Sequence, residues 1–129
     1  MDVLQRPEVG RLLADARHAV VGVNRAQGAP QLSVVWFVWD GEAFRFSTTR
    51  GRAKYLNLRR DPSISLLIDD FDNKFYVAAY GTARLVEDGH DELARPLLAK
   101  YMPERLDDPG WTPDRVIVEL RPDRILVGH

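Results

Sequence analysis

Most of the chain alternates apolar and other residues with a period of two, which is the signature of strands. The pattern is clearest in Ser63 to Asp69, where Ile64, Leu66 and Ile68 alternate with Ser63, Ser65 and Leu67. Further strands are expected at Ala19–Val23, Gln31–Trp39, Ala43–Thr48, Phe75–Val86, Arg115–Leu120 and Arg124–Val127. Asp40-Gly41 is the strongest hairpin signal and joins Gln31–Trp39 to Ala43–Thr48; Asp70–Lys74 is a second turn. Gly81 predicts a bulge or bend in the longest strand. Helical spacing occurs in three places. Val9, Leu12 and Leu13 share a face after Pro7, in a helix ending near Ala16. A second helix spans about Arg52 to Arg60, stopped by Pro62. A third runs from Asp91 to Tyr101, where Pro96 is tolerable only near the start or at a kink. Residues 102–113 read as loop.

Six or seven antiparallel strands with small peripheral helices predict a mainly β fold, a small β-barrel in one domain over residues 1–129. Two strands are apolar on both faces. Leu32, Val34, Trp36 and Val38 oppose Val35, Phe37 and Trp39, and Phe75, Val77 and Ala79 oppose Tyr76, Ala78 and Tyr80. A barrel wall with one wet face alternates apolar with polar. Too few helices are available to cover these outer faces, so a homodimer is expected to bury them.

Composition narrows the function classes. A net charge of −1 argues against general attraction to nucleic acid or an anionic membrane. The absence of cysteine excludes disulfides, thiolate metal sites and cysteine nucleophiles. No run is long and apolar enough to span a bilayer and none resembles a signal peptide, so a cytoplasmic location is the expectation.

Residues 44–62 carry the main anomaly. Arg50, Arg52 and Lys54 crowd a helix start, where unpaired N–H groups and the macrodipole already favour anions. No acidic residue lies between Glu42 and Asp61 to neutralise them locally. Such a helix start calls for an external anion, and phosphate is the usual one; solvated surface cations are the plainer alternative. Other constellations are weak. His18, His90 and His129 lack metal-site spacing, and Asp69, Asp70 and Asp72 read as turn chemistry, so no metal is expected. Ser33, Ser47, Thr48 and Thr49 lack a nearby base, and there is no P-loop or dinucleotide fingerprint. If the chain is an enzyme, a cofactor brings the reactive centre.

Several runs together resemble the pyridoxamine 5′-phosphate oxidase-like split-barrel family. They are Gly28-Ala-Pro-Gln-Leu-Ser-Val-Val-Trp36, Phe46-Ser-Thr-Thr49, Arg52-Ala-Lys54 and Asn57-Leu-Arg-Arg-Asp-Pro62, with Tyr80-Gly-Thr-Ala-Arg-Leu85 in keeping. The pattern is most similar to the subclass that uses the deazaflavin coenzyme F420. The resemblance implies homodimeric split β-barrels with two cofactors at the subunit interface. It implies that Arg52 and Lys54, with Ala53 between them, hold the cofactor phosphate with Ser47 and Thr48 or Thr49. It places Gln31, Ser33 and the backbone of Val34, Val35 and Trp36 along the polar edge of the ring system. Arg50 is implied for the cofactor tail, with Arg59 and Arg60 as further cations. Tyr76, Tyr80 or Trp111 would reach the partner's site. Phosphate-oxidase members carry a C-terminal extension with substrate ligands, whereas this chain stops at Gly128-His129. Pyridoxamine phosphate oxidation is therefore not the expected reaction.

The resulting expectation is an F420-dependent oxidoreductase acting on a small unsaturated or conjugated substrate. The alternatives are an FMN-dependent oxidoreductase of the same fold and a non-catalytic F420 carrier.

Overall fold

Every segment with a period of two forms a strand in the computed structural model, which describes residues 2–16, 18–88, 90–107 and 112–129, with backbone alone at 90 and 91. The elements follow as α1 (Pro7–Asp15), β1 (Ala19–Val23), β2 (Gln31–Val35), β3 (Val38–Trp39), β4 (Phe44–Thr49), α2 (Ala53–Arg60), β5 (Ser63–Asp70), β6 (Phe75–Val86), α3 (His90–Tyr101), β7 (Arg115–Leu120) and β8 (Arg124–Gly128). Helix bounds differ from the sequence expectation by a residue, which is ordinary fraying. Pro96 lies inside α3. Trp111, implied for the partner's site, lies outside the described residues.

All strand pairs are antiparallel, in the order β2-β1-β5-β6-β7-β4-β3, with β8 also on β6. β2 and β3 are neighbours in the chain yet stand at opposite ends of this path. The sheet therefore curls round, and residues 36–37 span its open seam. This is a mainly β split barrel, as expected, with one correction: Gln31–Trp39 is not one strand. The break has a physical cause. Phe37 turns fully into the core, and its backbone, freed from the ladder, finds other partners. The Tyr101 hydroxyl accepts from Phe37 N at 3.1 Å and lies 3.1 Å from Phe37 O, while Lys100 Nζ donates to the same carbonyl at 3.1 Å. Trp36 then stacks on the Tyr101 ring, centroids 4.7 Å apart and planes 3° from parallel. The end of α3 thus clasps the seam.

Gly81 keeps its register opposite Ile64, so β6 carries no bulge there. Its role is close approach. β6 pairs β8 through Tyr80 and β7 from Ala83 onward, and the corner between those two strands presses on Gly81. A Cβ at this position would lie 2.8 Å from Leu120 Cδ1 and 3.3 Å from Arg121 O.

The core inside the curl is built from the inward residues of β1, β4, β5 and β6, closed at one end by Val9, Leu12 and Leu13 of α1. Phe37, Phe44 and Phe46 are its largest fully buried side chains. The outer face is different. Val34, Val20, Leu67, Ala78 and Leu126 stand in one row across β2, β1, β5, β6 and β8. Leu32, Tyr76 and Tyr80 flank this row and are exposed; Leu32 and Val34 reach 70% and 64%.

Candidate functional site

β2 pairs with β1 alone, so its other edge is unpaired. β4 pairs with β3 only at Phe44 and Arg45, so on that side Phe46 to Thr49 are unpaired as well. The seam between these two free edges holds a cavity of about 290 Å³. Its walls are Val34, Val35 and Trp36 from β2's end, Ser47, Thr48 and Thr49 from β4, Arg52 and Lys54 from the start of α2, Leu97 from α3 and Arg115 from β7. Residues from both faces of each strand contribute because the cavity meets the strands edge-on. Among the described residues, three cations and three hydroxyl side chains line it, and no carboxylate does.

Local structure explains how Arg52 and Lys54 share a cavity although they are two residues apart. Arg52 is the N-cap of α2, in extended backbone (φ −78°, ψ 145°), and makes no side-chain capping bond; Lys54 is in the first turn. No acidic residue stands in that turn. Lys54 is only 8% exposed, yet it has no hydrogen-bond or ion-pair partner among the described residues. Burial lowers its pKa below the ordinary 10.5, and the nearby Arg52 charge adds to the effect. The contrast with Glu119 is instructive. That buried carboxylate meets Arg45 Nε at 3.0 Å and Arg84 and Arg121 at 3.4 Å. Buried charges are normally paired in this way, because an unpaired one costs several kcal/mol. Thr48 is 4% exposed, and its Oγ1 is buried without a hydrogen-bond partner among the described residues. A buried hydroxyl without a partner, beside a largely buried lysine side chain that has none among the described residues, fits a ligand bearing an anionic oxygen group.

Of the residues named from the sequence, the structure brings Val34, Val35, Trp36, Ser47, Thr48, Thr49, Arg52 and Lys54 together around this cavity. It does not bring the others there. Gln31 points toward α2, its Oε1 accepting from Asn57 Nδ2 at 3.2 Å, and Ser33 lies further along the inner side of β2. Ala53 is exposed at the first position of α2. Arg50 is engaged elsewhere, donating to Pro113 O at 2.9 Å and to Glu87 at 3.4 Å. Glu87 also accepts from the Tyr55 hydroxyl at 2.7 Å, and that bond, with the Arg50 charge, lowers its pKa. Arg50 thus has a carboxylate partner that local sequence could not reveal. Arg59 sits over the Tyr55 ring, and Arg60 donates to Asn57 and to Asn24 O. Tyr76 and Tyr80 stand on the outer face, away from the cavity of their own chain.

Arg115 was missed by the sequence reading. It pairs in register with Thr49, and its Nη1 donates to Ser47 Oγ at 3.1 Å. Only the β4–β7 pairing of Thr49 with Arg115, far apart in the chain, brings it there. A larger surface cleft of about 720 Å³ lies between α1 and the β5–β6 turn. Its Arg6 and Arg11 face Glu8, Asp15, Asp69, Asp70 and Asp72, so cations and carboxylates are mixed there. Among the described residues, no group of three His, Cys, Asp or Glu side chains is placed to hold a metal ion. No helix among them is long and apolar enough to cross a membrane.

Residues 6–127 match the family profile described as pyridoxamine 5′-phosphate oxidase. An F420 reductase of known structure is 31% identical, with a TM-score of 0.72 over 90% of this chain and 94% of that one. The conserved hypothetical protein Rv2991 from Mycobacterium tuberculosis is 25% identical, with a TM-score of 0.84 over 97% of this chain and 84% of that one. General Stress Protein 26 from Bacillus anthracis shares the fold at 18% identity, with a TM-score of 0.74 over 93% and 90% of the two chains. With a curled sheet open at one seam and a profile match over nearly its whole length, the chain belongs to the pyridoxamine 5′-phosphate oxidase family.

Proposed function

We propose that this protein is an F420-dependent oxidoreductase whose seam cavity holds the phosphate of the deazaflavin. The observation that carries this reading is the lining of the cavity: among the described residues, three cations, three hydroxyls and no carboxylate, with a largely buried lysine that has no partner there. Arg52 and Lys54 supply charge at a helix start whose N–H groups already favour an anion, and Ser47, Thr48 and Thr49 supply hydroxyl donors. Charge-assisted hydrogen bonds of this type contribute about 1.5–3 kcal/mol each. The unpaired edge of β2 at Val34–Trp36 offers backbone donors and acceptors to the polar rim of a planar ring system. When bound, the deazaflavin supplies hydride transfer to or from an unsaturated or conjugated organic molecule.

The choice of F420 is supported by the likeness to an F420 reductase at 31% identity. FMN carries the same phosphate chemistry and is the second reading, since the cavity lining recognises the phosphate that both share. At about 290 Å³ the cavity is at the lower limit for a whole small-molecule site, about 300–1,000 Å³. The remainder of the cofactor therefore extends along the outer face, and a second copy of the chain covers it there. Tyr76 and Tyr80 stand on that face and contribute to the partner's site in this arrangement. Titration of dialysed protein with F420 and, separately, with FMN tests the reading by fluorescence. Saturable F420 binding is expected; tight FMN binding with none for F420 would overturn the cofactor choice.

A further inference from the structure

We infer that Arg115 is the third cation of the phosphate cradle, and that it makes Ser47 a hydrogen-bond donor to the ligand. The inference rests on the phosphate-site reading above and extends it to a residue from a distant part of the chain. Arg115 Nη1 donates to Ser47 Oγ at 3.1 Å, and both residues line the cavity. A serine hydroxyl has one proton and two lone pairs. Once the guanidinium occupies a lone pair, the Ser47 proton is directed away from Arg115, and the same bond polarises the O–H for donation. Among the described residues that line the cavity, no carboxylate competes for that proton. The proton therefore serves an anionic oxygen arriving between Ser47, Arg52 and Lys54.

The surroundings hold Arg115 in this role. Its backbone pairs with Thr49 in the β4–β7 ladder, and its amide donates to Thr112 O at 3.1 Å. Arg50 braces the approach to it: its amide donates to Asp114 O at 3.1 Å and its guanidinium to Pro113 O at 2.9 Å. Arg50, implied from the sequence for the cofactor tail, is in this account a support for the turn that delivers Arg115.

The test compares ligands that share a ring system and differ in the phosphate-bearing tail: F420 with its phosphate-free chromophore, and FMN with riboflavin. The readout is the affinity ratio within each pair, which a general loss of structure would not change selectively. Arg115→Met is expected to lower the ratio about tenfold, with partial recovery in Arg115→Lys. In a Ser47→Ala background, Arg115→Met is expected to cost clearly less, because part of its effect passes through the hydroxyl. An unchanged ratio in Arg115→Met, with Lys54→Ala lowering it, overturns the inference alone. An unchanged ratio in both variants, or no preference for the phosphate form in the parent, overturns the phosphate site and the inference with it. Additive effects of Arg115→Met and Ser47→Ala overturn the coupling between them.

Discussion

Lys54 is where the chemistry of this protein is most exposed to test. Its side chain is largely buried near Arg52 without a carboxylate partner among the described residues, and its pKa lies below 10.5. A lysine whose folded-state pKa is depressed holds its proton less firmly than in the unfolded chain. Stability of the free protein therefore rises with pH between the lowered value and 10.5. A bound phosphate reverses the environment and holds the proton. Affinity for the phosphate ligand should then fall, by up to about tenfold per pH unit, once the pH exceeds the free protein's lowered Lys54 pKa. A titration series from neutral to alkaline pH checks this, with Lys54→Met as the control that loses the dependence. The same alkaline fall in Lys54→Met would remove Lys54 as its source. The Asp40 pKa is also lowered, but there the charged form is the one the fold favours. Burial alone would raise its pKa, but the Arg45 guanidinium and the amides of Ala43 and Glu42 outweigh it and hold the value at about 2. The Asp40 contribution to stability is thus present above about pH 4 and lost as the pH falls through about 2. In Asp40→Asn, acid unfolding should lose part of its slope in that window; an identical acid transition would contradict this.

At the scale of elements, the seam is held open by a clasp. The Tyr101 hydroxyl and Lys100 satisfy the backbone of Phe37, and Trp36 stacks above, so β2 and β4 stay apart and the cavity persists. Tyr101→Phe keeps the ring and removes the hydroxyl, leaving a buried amide without its acceptor. A loss of about 1–3 kcal/mol is expected by denaturant unfolding. A change within error would show that the Tyr101 hydroxyl does not hold the seam. Gly81→Ala tests the close approach at the β7–β8 corner, where overpacking should cost about 1–3 kcal/mol. The strand pattern was legible in the sequence because alternation is local, and Phe75–Val86 and Arg115–Leu120 have the expected bounds. The break at Trp36-Phe37 was not. Residues 34–39 are all apolar, so nothing local marks a break, and what interrupts the strand is a tyrosine 64 residues away. The cradle was legible in the same uneven way. Arg52-Ala-Lys54 stands out as a local excess of charge, whereas Arg115 and the Glu87 that partners Arg50 arrive only through tertiary pairing.

For the whole molecule, the apolar outer row is the feature to explain. In the row across five adjoining strands Val34, Leu67 and Leu126 are exposed, on β2, β5 and β8, with Leu32, Tyr76 and Tyr80 beside them. A monomer keeping this surface in water would be unusual. Sedimentation should report twice the chain's 14.7 kDa, and the double variant Leu67→Glu, Leu126→Glu should sediment as one chain. A parent protein that remains monomeric at micromolar concentration would contradict the proposed dimer. Because the cavity of one chain is small, loss of the dimer should also weaken cofactor binding, which links the two proposals.

Everything proposed for the cofactor depends on Arg52 and Lys54 holding a phosphate-bearing deazaflavin at the seam. A fluorescence titration of F420 into dialysed parent protein and into Lys54→Ala and Arg52→Ala tests it most directly, with sedimentation confirming an unchanged assembly. Saturable binding to the parent and a loss of at least about tenfold in each variant are expected. Equal affinity in all three proteins would contradict it.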